Sequence, residues 1–157
     1  MNIQVEPILL EQKSVFIPLL FLYNGVEADD NDYYIDNLGI NDKMHYFFIR
    51  VDGDLAGFAV VCPPFLYVKE AENAYCMDAF FVTNEYRRKG IGKFVAEVVF
   101  NMFKGKWEVC TLRENNMPAQ KFWESVISEY TKNNYQKCGT ENDILIGFTF
   151  DNRHSLQ

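Results

Sequence analysis

Residues 80–93 read FFVTNEYRRKGIGK, an apolar strand followed by a basic, glycine-bearing turn that opens straight into an amphipathic helix. No other stretch constrains the fold as strongly. A turn of this kind aims several unpaired backbone N–H groups at one point, and the helix dipole adds about half a positive charge there. The result is an anion site suited to phosphate. Gly90 and Gly92 let the backbone approach a bulky pyrophosphate without Cβ interference, while Arg87, Arg88, Lys89 and Lys93 supply charge-assisted hydrogen bonds around Ile91. Two familiar phosphate loops do not fit. A Walker loop needs Gly-Lys-Ser/Thr, and Lys93 is followed by Phe94; a dinucleotide fingerprint needs a small residue three positions after Gly92, where Val95 stands.

A chain of 157 residues is long enough for one domain burying about two thirds of its unfolded surface. A single domain over residues 1–157 is therefore expected. Hydrophobic content of 48% and aromatic content of 16% exclude disorder, and no compositional break marks a linker or repeat. The apolar run Val15 to Tyr23 contains Pro18 and is too short to span a bilayer. With no basic n-region of a signal peptide in view, a cytoplasmic location is expected, with no membrane partner. Cys62, Cys76, Cys110 and Cys138 form no Cys-x-x-Cys pair and have no histidines near them in sequence, so they read as reduced thiols and no metal is expected.

The net charge of −7 is the wrong sign for binding nucleic acid through its phosphates. The negative charge is uneven. Glu27, Asp29, Asp30, Asp32, Asp36 and Asp42 cluster in one segment, with Tyr33 and Tyr34 among them. Such a segment is either a solvated surface or an attractor for a cationic amine.

Periodicity places the elements. Asn2 to Glu6 suits a strand and Leu10 to Tyr23 a helix that Pro18 kinks or delays; Asp30 to Leu38 is a short second helix. His45 to Val51 and Asp54 to Val61 form a hairpin about Asp52-Gly53, a pair that supplies the positive φ angles of a tight turn. Pro63 and Pro64 end it. Ala74 to Val82 is an apolar strand. From Ile91, Phe94, Val95, Val98, Phe100, Met102 and Phe103 recur at helical spacing until Gly105. Trp107 to Leu112 is a strand, Pro118 sits in the first turn of a helix with Ala119, Phe122, Trp123, Val126, Ile127 and Tyr130 as its stripe, and Ile144 to Phe150 is the last strand.

Arg87, Gly90 and Gly92 match the Gln/Arg-x-x-Gly-x-Gly/Ala signature of the GNAT acyltransferases, and the run from Asn116 to Trp123 resembles that superfamily's Asn-x-x-Ala-x-x-aromatic element. From about Tyr46 to Ile127 the chain resembles the small bacterial predicted acetyltransferases of the superfamily. The resemblance implies an α/β, three-layer fold with a mixed, mostly antiparallel central sheet flanked by helices. It also implies acetyl-CoA as cosubstrate and direct transfer of the acetyl group to a primary amine, the acceptor being a small cationic molecule. It is compatible with a homodimer.

Carried over by residue, the resemblance lays pantetheine along Asp78 to Val82 like an added strand, paired to backbone groups of Phe80 and Val82 beside Phe81. Arg87 to Lys93 hold the pyrophosphate, Asn116 bonds the pantetheine arm or caps the following helix, and Ala119 and Trp123 complete the cofactor contacts. Direct transfer also needs a base for the ammonium and is helped by an acid for the thiolate. Many relatives place a Tyr acid where this chain has Trp123, whose indole is no acid, so Tyr86 or Tyr130 serves or the thiolate leaves unprotonated. Some relatives carry Glu where Thr111 stands. Asp78 is the first choice of base, because a carboxylate in an apolar strand has its pKa raised, with Glu108 and Glu114 as alternatives. His45, opening a hairpin, and His154, in a polar tail, are poor candidates. Two other classes remain open: a degenerate acyl-CoA sensor without turnover, and an interaction module without cofactor.

Overall fold

A computed structural model of the chain describes residues 1–113, 117–140 and 142–154. The strands join in the order β1-β2-β3-β4-β5-β7-β6: β1 Ile3–Pro7, β2 His45–Val51, β3 Asp54–Cys62, β4 Ala74–Val82, β5 Lys106–Leu112, β6 Gln136–Cys138 and β7 Leu145–Asp151. The helices are α1 Lys13–Asn24, α2 Asn31–Asn37, α3 Ile91–Met102 and α4 Met117–Thr131. β4 and β5 are parallel, while β1–β2, β2–β3, β5–β7 and β6–β7 are antiparallel, so the sheet is mixed. The element order matches the one read from the sequence, with β6 and two 3₁₀ turns, Leu10–Gln12 and Asn84–Tyr86, added.

Two compact units divide the chain. One consists of Met1–Val61 and Ala79–Ile91. Its core is aromatic, with Phe16 edge-on to Phe58 at 5.2 Å and to Tyr46 at 5.6 Å, and Phe58 6.1 Å from Phe81. The hairpin turn adopts φ of 51° at Asp52 and 87° at Gly53, the two left-handed residues its tight geometry requires. α1 starts at Lys13, three residues later than the periodicity suggests, because Leu10–Gln12 wind as a 3₁₀ turn whose Gln12 side chain accepts the Leu9 N–H at 2.8 Å. Pro18 lies inside α1 without ending it. Beyond its end, buried Asn31 donates to the carbonyls of Gly25 and Val26, fixing the turn into α2.

Gly57 shows how closely β3 and β4 approach. A Cβ there would stand 1.9 Å from the Phe81 carbonyl oxygen. The ladder continues one step beyond, where the Thr83 N–H donates to the Ala56 carbonyl at 2.8 Å.

Cys62–Asp78 and the chain from Gly92 onward make the second unit. Phe100 is its hub, 4.9 Å from Trp107, 5.0 Å from Phe150 and 5.2 Å from Tyr130. The buried stripe of α3 is Ile91, Val95, Ala96, Val99 and Phe100, whereas Phe94 and Met102 are exposed. Apolar residues thus run further round this helix than its buried face, and the sequence stripe sits one residue out of phase. Asn152, 2% exposed, accepts the Gly105 N–H at 2.8 Å and donates to the Phe100 carbonyl at 2.8 Å, sewing the end of α3 to the start of β5 and the end of β7. Among the described residues no helix is long and apolar enough to cross a membrane.

Candidate functional site

The turn that dominates the sequence is built on two left-handed residues. Arg88 has φ of 63° and Gly90 φ of 77°, flanking Lys89, and α3 begins at the next residue, Ile91. Space is open around Gly90: among the described residues nothing lies within 4 Å of where its Cβ would be. Glycine is favoured there by the dihedral and not by a neighbour. Gly92 falls in the first turn of α3, whose N–H groups have no intrahelical acceptors. The segment therefore fits a pyrophosphate: an uncrowded left-handed bend leading into unpaired donors.

The side chains around it divide. The Arg87 Nε donates to the Val82 carbonyl at 2.7 Å and its guanidinium lies 5.5 Å from the Phe81 ring, so this cation buttresses the end of β4. Lys89 Nζ stands 5.9 Å from the Tyr86 ring. Lys93 is ion-paired with Glu129 of α4, which holds its ammonium pKa up. Arg88 and Lys89 remain exposed at the bend.

β4 carries the other expected contacts. Its parallel ladder with β5 comprises Ala74↔Lys106, Tyr75↔Trp107 and Cys76↔Glu108, and β4 runs on past the last of these pairs to Val82. Phe80 and Phe81 are half-buried and Val82 is buried. Asp78 is half-buried on this strand. One carboxylate oxygen of Asp78 and the sulfurs of Cys62 and Cys76 all lie within 4.8 Å of one another. Cysteines scattered in the sequence are thus partly gathered, and the signal for it was the i, i+2 spacing of Cys76 and Asp78, which puts both on one face of a strand.

Glu108 is fully buried and is held by four consecutive backbone N–H groups: Phe65 and Leu66 donate to Oε2 at 3.0 and 3.1 Å, Tyr67 and Val68 to Oε1 at 2.8 and 2.9 Å. Cys110 points its thiol at the same Oε2, 4.0 Å away. Burial pushes that thiol up to about 12, with Glu108 next among the causes, so Cys110 is protonated at neutral pH. Sequence reasoning missed this arrangement, because its donors are main-chain groups without a side-chain signature. A single charge inside the apolar strand Trp107–Leu112 was the one trace of it.

Thr111 is buried, its hydroxyl donating to the Leu112 carbonyl at 3.0 Å. Asn116 and Glu114 lie outside the described residues. Downstream, Pro118 sits in the first turn of α4, and Gln120 ties that turn to β5 by donating to the carbonyls of Leu112 and Arg113. Ala119 is half-buried; Trp123 is 7% exposed, its ring 6.3 Å from Phe100 and 4.9 Å from Phe122. Of the two phenols, Tyr130 donates to Asn101 at 2.7 Å and accepts from Asn152 at 3.2 Å, whereas Tyr86 lies in the 3₁₀ turn just before the bend. Desolvation raises the pKa of both. It lowers that of His45, which Asp42 opposes.

The acidic residues Glu27, Asp29, Asp30, Asp32, Asp36 and Asp42 are all exposed. Tyr34 is buried at 5% while Tyr33 is exposed at 47%, so of the two rings only Tyr33 faces solvent. A cavity of about 630 Å³ in the second unit is lined by Tyr67, Lys69, Glu70, Lys106, Tyr135 and Asp151 among others, and, among the described residues, includes none of those singled out as catalytic or cofactor-binding.

Residues 13–127 match the model of the acetyltransferase (GNAT) family. No curated protein matches the sequence. Solved structures share the fold at low identity. A Bacillus subtilis acetyltransferase in complex with CoA has a TM-score of 0.66 at 13% identity, over 96% of this chain and 99% of that one. The ribosomal-protein-S18-alanine N-acetyltransferase of Escherichia coli has a TM-score of 0.67 at 12% identity, over 98% and 96%. An aminoglycoside antibiotic 6'-N-acetyltransferase from Acinetobacter baumannii has a TM-score of 0.65 at 17% identity, over 80% and 89%.

Proposed function

The chain belongs to the acetyltransferase (GNAT) family, and we propose that it is an N-acetyltransferase moving an acetyl group from acetyl-CoA directly to a primary amine of a small cationic molecule. The observation that carries this reading is the bend from Arg88 to Gly90 leading into the first turn of α3. Acetyl-CoA supplies an acyl group already activated as a thioester. Main-chain donors from Gly90 to Lys93 hold the pyrophosphate, with Arg88 and Lys89 adding charge. Phe80 and Val82 offer backbone groups to the pantetheine, with Phe81 and the Arg87 side chain fixing the strand end; Ala119, Trp123 and Asn116 complete the cofactor contacts. Asp78 takes the amine proton, directly or through one water. Glu108, second candidate for that role, acts as a positioning residue instead, since both its oxygens already serve the 65–68 loop.

Support for a small cationic acceptor comes from the exposed acidic segment and from the aminoglycoside enzyme among the structural neighbours. The neighbour acting on a ribosomal-protein alanine marks a peptide amine as the rival acceptor. A sensor that binds acyl-CoA without turnover is favoured by Trp123, which puts an indole where a Tyr acid would be. Two measurements decide. Acetyl-CoA at 100 times its dissociation constant adds about 2.7 kcal/mol of stability, which raises Tm by several degrees; Gly92→Val removes the shift and Cys138→Ser keeps it. Release of free CoA across an amine panel then separates enzyme from sensor. No shift with the wild-type chain sinks both readings.

A further inference from the structure

Cys62 ends β3, and Cys76 and Asp78 lie two residues apart on β4. Both cysteines are buried, 5% and 1% exposed, and the half-buried Asp78 carboxylate completes a trio of donor atoms within 4.8 Å of one another. The Cys62 thiol donates to the Pro63 carbonyl at 3.3 Å, which holds its sulfur at the point where β3 ends. Tetrahedral zinc, with bonds of about 2.3 Å to sulfur and about 2.0 Å to oxygen, spaces its ligands by a little under ~4 Å. The three donor atoms, within 4.8 Å of one another, stand about 1 Å or less from that spacing. Two thiolates with one carboxylate favour a soft, zinc-like ion over magnesium or calcium, and three protein ligands leave a fourth position for water.

We propose that Cys62, Cys76 and Asp78 bind a thiophilic divalent cation of the zinc class, and that the bound cation silences acetyl transfer by occupying the Asp78 carboxylate. Binding displaces one proton from each thiol to solvent while Asp78 contributes as the carboxylate, and no group is oxidised or reduced. The inhibitory half rests on Asp78 as the base; the binding half does not. The same three side chains thus serve in two exclusive states, a protonated thiol pair beside the carboxylate, or a metal centre with water in its fourth position.

Cobalt(II) titrated into the chelator-treated protein is the probe. The expected result is a thiolate-to-cobalt charge-transfer band saturating at one equivalent, bleached by zinc. Cys62→Ser with Cys76→Ser abolishes the band, circular dichroism verifying that the variant is folded, and Cys138→Ser retains it. Zinc lowers the rate of CoA release and chelator restores it. Absence of the band, its persistence in the double variant, or a Cys62–Cys76 disulfide in the isolated protein overturns the site. Because the optical readout needs neither CoA nor amine, it stands apart from failure of the acetyltransferase reading. Saturated cobalt or zinc binding with unchanged turnover overturns the inhibitory half.

Discussion

Among single residues Asp78 carries the most chemistry, because it is a carboxylate on an otherwise apolar strand. Asp78→Asn keeps the size and hydrogen-bonding reach of the side chain but removes its basic lone pair. We expect kcat/KM to fall roughly 10²- to 10⁴-fold while CoA affinity barely changes. The measurement is steady-state kinetics beside a CoA melting titration, and the acidic limb of the wild-type pH profile should vanish with the carboxylate. Unchanged turnover would hand the role to Glu114 or to water relayed from bulk. Trp123→Tyr is the companion change. The indole is 7% exposed and packed near Phe100, so a phenol placed there meets a pocket shaped for a larger ring, and little gain in kcat is expected.

Between elements, Glu108 ties β5 to the loop before β4 through four main-chain N–H groups. Glu108→Ala removes the acceptor of four N–H groups at once and leaves a void, which places the loss at roughly 3–5 kcal/mol, the upper range for one substitution. Glu108→Gln is the finer probe. An amide offers one acceptor oxygen, and its NH₂ group faces two of the former donors. Hydrogen exchange at Phe65–Val68 should accelerate in this variant while protection in α3 and β7 persists; unaltered exchange at those four amides would refute the positioning role. Most elements were legible in the sequence because their signals are local. Asp52-Gly53 encodes its own turn, and α3 encodes its period, though not the phase of its buried face. β6 was missed because three residues, two of them exposed, give no periodicity. The bend that opens α3 was legible for the same local reason, whereas the Cys62–Cys76–Asp78 trio and the Glu108 cradle were not, since both depend on which strands and loops meet.

For the molecule as a whole, the excess of acid over base, 22 residues against 15, sets what the protein attracts. Replacing Asp29, Asp30 and Asp32 with Asn should raise KM for a polyamine or amino sugar and leave that for a neutral amine unchanged. The effect should fade with salt, as the Debye length falls from about 10 Å at 0.1 M to about 3 Å at 1 M. An acidic or neutral acceptor proving best would end the cationic-acceptor reading. Charge can drift in this way, position by position; backbone geometry cannot drift so freely. At Gly90 no described residue crowds the position and only the dihedral is demanding, so evolution has an exit through asparagine or aspartate, the residues that tolerate a left-handed φ. At Gly57 any side chain at all collides with the Phe81 carbonyl, so no path of single replacements leaves that position with β3 and β4 still paired as they are.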